Sequence, residues 1–148
     1  MVAGLGITRT LVPNVAHQIG ADPMPPISIA VETKSDLAAI APYAAVADRF
    51  LFDARPPRDA TRPGGLGTPF DWTLLKDLEP GLPFMLSGGL DAGNVAEALS
   101  ITRAGGVDVS SGVERAPGEK DPDMIRAFIR AARQAQARID GLKVASNA

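Results

Sequence analysis

Carboxylates, glycine pairs and hydroxyls recur along the chain, and each group can do a definite piece of chemistry. Asp53 follows the stretch Arg49-Phe50-Leu51-Phe52 and offers a carboxyl for acid or base work. A positioned acid or base typically accelerates a reaction by about 10²–10⁴-fold. Gly88 and Gly89 follow Phe84-Met85-Leu86-Ser87. Glycine lets a backbone approach an anion closely, and a phosphate needs converging N–H groups. Asp108, Ser110, Ser111 and Gly112 follow the next apolar stretch and combine a carboxyl, two hydroxyls and a glycine. Plainer roles exist for each. Asp53 can cap a helix or a loop, Gly88-Gly89 can form a tight strand-to-helix turn, and Asp108 can be a buried Asp satisfied by backbone donors. The chain has no cysteine, so thiolate chemistry and disulfides are excluded. Its one histidine, His17, reads as a solvated loop residue.

These residues need elements to hold them, and the chain supplies a rhythm. Four times a short apolar run is followed by a helix-like segment, the signature of βαβ units and a parallel sheet. The first run is Ile27–Val31, with Thr33 and Ser35 as N-caps for a helix carrying Leu37, Ala38, Ile40 and Ala41. The second is Arg49–Asp53. A Pro- and Gly-rich loop, 54–69, separates it from a helix starting near Asp71 and carrying Trp72, Leu74, Leu75 and Leu78. The third, Phe84–Ser87, leads to a helix from Asp91 that Gly105-Gly106 ends. The fourth is Val107–Ser111. Pro122 then suits a first helical turn, and Met124, Ile125, Phe128, Ile129, Ala132 and Ile139 recur at helical spacing. The tail after Gly141 reads as frayed. Polar residues gather where the strands end, and in α/β folds the chemistry sits at that end.

Composition narrows the function classes. The net charge is −2, and five Phe, one Tyr and one Trp are too few for a base-stacking surface, so nucleic acid is not an expected partner. No apolar run approaches the roughly 18 residues of a bilayer span, and residues 1–6 lack a secretory pattern, so a membrane is not expected and the cytoplasm is the expected location.

Two motifs carry a resemblance. One is Leu51-Phe52-Asp53-Ala54 followed by Gly64-Gly65-Leu66-Gly67-Thr68-Pro69-Phe70-Asp71-Trp72. The other is Leu86-Ser87-Gly88-Gly89-Leu90, then Asn94-Val95, then Gly106–Glu114, completed by Pro117-Gly118 and Lys120-Asp121-Pro122. In this order, over about 95 residues, they are similar to strands six to eight of phosphoribosylanthranilate isomerases. The resemblance runs from about Ile29 to Arg133. It implies an α/β chain forming the C-terminal half, about strands 5–8, of a (β/α)8 barrel, with parallel strands alternating with helices. The implied domains are an unmatched, poorly ordered segment 1–28 and a half-barrel 29–148.

The resemblance also implies a reaction: the Amadori rearrangement of N-(5-phosphoribosyl)anthranilate, in tryptophan biosynthesis, with neither metal nor organic cofactor. Asp53 matches the general acid. Gly88, Gly89, Ser110, Ser111 and Gly112 match the phosphate site, which barrels often build after strands seven and eight. Asp108 would contact the anthranilate amine or ribose hydroxyls. Gly64, Gly65 and Gly67 would form a flap over the substrate. A second reading is another phosphate-handling barrel of similar build, such as a sugar-phosphate epimerase or a histidine-pathway isomerase; the pairing of Phe70-Asp71-Trp72 with Asp108–Gly112 argues against it.

The chain departs from the family in one respect that matters for chemistry. The family's general base is a cysteine at the end of the first strand, and an arginine on its early strands helps hold the anthranilate carboxylate. Neither has a counterpart here, and a complete barrel typically takes about 250 residues. The expectation is a truncated chain, inactive alone, whose unpaired sheet edges favour self-association or a complementing N-terminal half-barrel. The alternative is a phosphate-binding half-barrel or assembly partner without its own activity.

Overall fold

A computed structural model describes residues 26–55 and 68–146. Gly64, Gly65 and Gly67, and residues 1–25, lie outside the described residues. Four strands form one sheet in chain order, each parallel to the next: β1 (Ile27–Val31), β2 (Phe50–Ala54), β3 (Phe84–Leu86) and β4 (Gly106–Val107). The register aligns Ile29 with Phe52, Phe52 with Leu86, and Leu86 with Val107. β1 and β4 are the outer strands of this sheet among the described residues.

Side chains alternate across a strand, and that alternation divides the labour. Ile29, Val31, Phe50, Phe52 and Leu86 are buried in the core. Phe52 stands edge-on to Phe84, with ring centroids 5.3 Å apart. On β2, Leu51 and Asp53 alternate with Phe50 and Phe52, and both are only half-buried. Asp53 therefore leaves the face that the core covers.

The connections are less helical than their apolar spacing suggests. The first crossover is a 3-10 segment, Lys34–Ala39, and a single α turn, α1 (Ile40–Tyr43), neither with a buried residue. The second is one 3-10 turn, Trp72–Leu75, started by Asp71, whose carboxylate accepts from the Thr73 N–H at 2.9 Å. Lys76 is extended and Asp77 has φ 60°, which end it there. Two full helices remain, α2 (Val95–Thr102) and α3 (Pro122–Ser146), and they pack on each other. Leu99 of α2 joins Phe128, Ala132 and Ile139 of α3 in the core. The stop of α2 is Arg103 at φ 56°, not Gly105-Gly106. Asp121 caps α3, its carboxylate accepting from the N–H groups of Asp123 (2.8 Å) and Met124 (3.0 Å). The helix runs through Gly141 to Ser146, where the tail reads as frayed from sequence.

The fourth strand is also shorter than its apolar run. β4 ends at Val107, and Ser111–Val113 form a 3-10 turn. A hairpin follows, β5 (Glu114–Ala116) against β6 (Glu119–Lys120). No described helix is long and apolar enough to cross a membrane.

Candidate functional site

The C-terminal ends of β2, β3 and β4 open into a cleft of about 550 Å³. Asp53, Gly88, Gly89 and Asp108 line it, as do Ser110, Ser111 and Gly112. Every described residue singled out from sequence thus meets the others in one place. The flap glycines lie outside the described residues.

Sheet register places the polar trio. Beyond Phe52, Leu86 and Val107 come Asp53, Ser87 and Asp108, and the ladder continues through them. The Ser87 N–H donates to the Phe52 carbonyl at 2.7 Å, and the Asp108 N–H donates to the Leu86 carbonyl at 2.8 Å. Ser87 is buried, 8% exposed, and its hydroxyl donates to the Asp108 carboxylate at 3.4 Å. Burial pushes the Asp53 carboxyl above the ordinary carboxylate range. The Ala54 N–H opposes that, the Asp108 charge adds to it, and a Ser87 hydroxyl bond opposes it. The net shift is toward the protonated form of the carboxyl.

The glycines hold the loops against one another. Gly88 has φ 86°, and a Cβ there would stand 2.6 Å from Ala54 Cβ and 2.8 Å from an Asp53 carboxylate oxygen. Gly89 lies against Thr68, and a Cβ would come within 2.6 Å of its carbonyl carbon. A Cβ on Gly112 would overlap the Leu90 carbonyl oxygen. The glycines thus close the turns after β3 and β4 as well as lining the cleft. Asn94 adds a tie, its side-chain amide donating to the Gly89 carbonyl at 2.8 Å.

The hairpin is a part of the site that residue types alone do not reveal. Lys120 Nζ donates to the Ser110 carbonyl at 2.8 Å, and pairs with the Glu114 carboxylate at 2.7 Å. Glu114 in turn accepts from the Gly118 N–H at 3.0 Å. Lys120 so fixes the Ser110 turn from behind. The signal for the hairpin was present: Pro117-Gly118 is a turn dipeptide, and Gly118 takes φ 80°. Lys120→Met is expected to weaken binding of a phosphate-bearing ligand roughly tenfold, about the worth of one hydrogen bond to a charged group. Calorimetric titration against the parent chain checks it, and unchanged affinity would remove Lys120 from the site.

Arg55 has a different place. Its guanidinium bonds Asp36 at 2.5 Å, and lies 3.5 Å from the Glu32 carboxylate. It ties the ends of β1 and β2 together rather than lining the cleft. No group of three or more His, Cys, Asp or Glu among the described residues is placed to hold a metal.

Residues 16–131 match the family described as N-(5'phosphoribosyl)anthranilate isomerase, a span that begins inside the segment 1–28. Among curated relatives, N-(5'-phosphoribosyl)anthranilate isomerase of Bradyrhizobium diazoefficiens is 72% identical over 109 residues, which are 74% of this chain and 49% of that protein. Among solved structures, phosphoribosyl anthranilate isomerase from Thermotoga maritima superposes with a TM-score of 0.61 at 35% identity, covering 72% of this chain and 50% of that one. A second is a phosphoribosyl anthranilate isomerase in complex with reduced 1-(o-carboxyphenylamino)-1-deoxyribulose 5-phosphate. It gives a TM-score of 0.56 at 33% identity, over 72% of this chain and 47% of that one. The chain spans about half the length of these relatives.

Proposed function

The chain belongs to the N-(5'-phosphoribosyl)anthranilate isomerase family, and from that premise we propose that it is the C-terminal half of such an enzyme's (β/α)8 barrel, acting in tryptophan biosynthesis. Residues 29–148 are its half-barrel unit. It supplies the acid and the phosphate grip. Asp53 gives its proton to the ribose ring oxygen, the C1–O bond breaks, and the ring opens. The amine lone pair forms a C1=N iminium as that bond breaks; a base removes the C2 proton to leave an enol-amine, and a proton returned to C1 as the enol O–H is lost gives the aminoketose. Gly88 and Gly89 with Ser110, Ser111 and Gly112 hold the phosphate, and Asp108 meets the anthranilate amine or ribose hydroxyls. The loop of Gly64, Gly65 and Gly67 closes over the substrate.

One observation carries this reading: all seven described candidates line a single cleft at the C-terminal ends of β2, β3 and β4. The raised pKa of Asp53 supports its role as acid. Titration with the reduced product analogue named above tests the ligand class. Saturable binding that inorganic phosphate competes away is expected, and a chain that is folded yet binds neither contradicts it.

The 148 residues contain no cysteine, and that favours the second reading: a binding half or assembly partner whose base comes from elsewhere. β1 and β4 would then pair with a complementing N-terminal half-barrel. Without that half, the edges that β1 and β4 leave open among the described residues favour pairing between copies. Size-exclusion chromatography of the chain alone is expected to show species larger than 15.4 kDa; a clean, cooperatively folding monomer overturns this.

A further inference from the structure

We propose that Asn94 is a positioning residue for the phosphate grip: by holding the Gly89 carbonyl, its side chain turns the Leu90 N–H toward the cleft, where that N–H donates to a phosphate oxygen. This rests on the reading of the cleft as a phosphate site.

The turn after β3 needs such a hold. Gly88 and Gly89 take φ 86° and 66° in succession. Glycine enters the left- and right-handed regions about equally, so nothing local fixes which way the Gly89–Leu90 peptide faces. Asn94 does. Its side-chain amide donates to the Gly89 carbonyl at 2.8 Å, and its side-chain oxygen accepts from the Asp91 N–H at 2.9 Å. One side chain thus grips both peptides that flank Leu90. Only an amide offers a donor and an acceptor side by side for this.

The direction follows from peptide geometry. A trans peptide carries its C=O and its N–H on opposite edges, and no cis bond occurs among the described residues. Fixing the Gly89 carbonyl therefore fixes the Leu90 N–H the other way. Gly89 and Leu90 line the cleft, whereas Asn94 lies outside it. The edge that Asn94 holds is turned from the cleft, and the N–H edge is turned to it. The Leu90 carbonyl is held too, since Gly112 packs on it too closely to leave room for a Cβ. Leu90 is 2% exposed, and among the described residues no group accepts from its N–H. Buried backbone N–H groups are nearly always paired, and an anion in the cleft supplies the acceptor.

Helix capping does not account for Asn94. It precedes α2, yet its side chain makes no cap bond to that helix. The Asp91 carboxylate serves the helix start instead, accepting from the N–H groups of Gly93 (2.7 Å) and Asn94 (3.0 Å).

That division of labour sets the test. In the full chain, isotope-labelled at leucine nitrogens and with Leu90→Met used to assign the signal, inorganic phosphate is titrated and the Leu90 amide is followed by NMR. In the parent its proton is expected to move downfield, saturably. Asn94→Ser, neutral and too short to span both partners, is expected to weaken phosphate binding about tenfold, the usual worth of one hydrogen bond to a charged group, and to abolish the Leu90 shift. Asp91→Ala removes the helix-start bonds and keeps the Asn94 tie. It is expected to lower the urea midpoint and leave phosphate affinity in place. Phosphate that binds the parent without moving Leu90 overturns the proposal alone, and that reading needs no variant to fold. So does Asn94→Ser binding like the parent, or Asp91→Ala losing as much affinity as Asn94→Ser, which would make Asn94 merely structural. A folded parent that binds neither phosphate nor the reduced product analogue rejects the phosphate reading, and the role of Asn94 falls with it.

Discussion

Asp53→Asn is expected to lower turnover of the complemented enzyme by about 10²–10⁴-fold, the usual worth of a positioned acid, while affinity for the reduced product analogue changes little. The carboxamide keeps the shape and loses the transferable proton. The residues proposed to hold the phosphate lie on the turns after β3 and β4, so that grip is expected to survive. A loss confined to KM would instead make Asp53 a binding group.

The same variant has a stability signature of opposite sense. The folded carboxyl titrates above its ordinary value of 3.8, mainly because it is buried. The folded chain therefore holds a proton that the unfolded chain has released. Stability falls as pH rises from the unfolded value through the folded one, and above both the full cost of an ionised Asp53 is present. Asp53→Asn removes that cost, so it is expected to be more stable than the parent at neutral pH and equal to it in acid. Urea unfolding across pH reads this directly.

Gly112→Ala carries the other large effect. The new Cβ would overlap the Leu90 carbonyl oxygen and stand 2.9 Å from the carbonyl carbon and 3.2 Å from Asp91 Cα. All three are backbone atoms, so no side chain can rotate away. Either the Ser111–Val113 turn or the Leu90–Asp91 loop must shift. The expected cost is about 3 kcal/mol, the upper end for overpacking, with analogue binding lost. Gly141→Ala is the control: nothing stands within 4 Å of its Cβ, it lies in α3, and it should gain roughly 0.5–1 kcal/mol. A Gly112→Ala chain as stable as the parent would mean that this turn does not pack on the Leu90 carbonyl.

Much of this was legible from residue order because strand-forming runs are bounded by chemistry. Phe50-Leu51-Phe52-Asp53 announces both a strand and the residue at its end, and Phe84–Ser87 does the same. The helices were less legible. Leu37, Ile40, Leu74 and Leu75 have helical spacing, yet Asp77 takes a left-handed conformation and Lys76 an extended one, so the second crossover closes after one 3-10 turn. Apolar spacing reports a buried stripe, not the length of the helix beneath it. α2 ends at Arg103 rather than at a glycine, because Thr102 bonds back to the Ala98 carbonyl and accepts from the Ala104 N–H, holding a turn no local preference marks.

The site divides along the same line. Asp53, Gly88 and Gly112 were legible in combination: a strand-end carboxyl or a glycine is common alone, and their order along the chain set them apart. Lys120 does not, because its partner, the Ser110 carbonyl, is reached only when the hairpin folds back. Ser87 looks like a strand terminator until the fold brings its hydroxyl to the Asp108 carboxylate.

On the proposed reading, these 148 residues carry the acid and the phosphate grip, and another segment carries the base. Loss of anthranilate fluorescence on turnover of N-(5-phosphoribosyl)anthranilate tests it most directly, with the chain alone and then with a separately made N-terminal half-barrel carrying the cysteine. The account predicts no turnover alone and turnover on mixing. Turnover at an enzyme-like rate by the chain alone would contradict it, as would a mixed, folded complex that binds the product analogue and still fails to react.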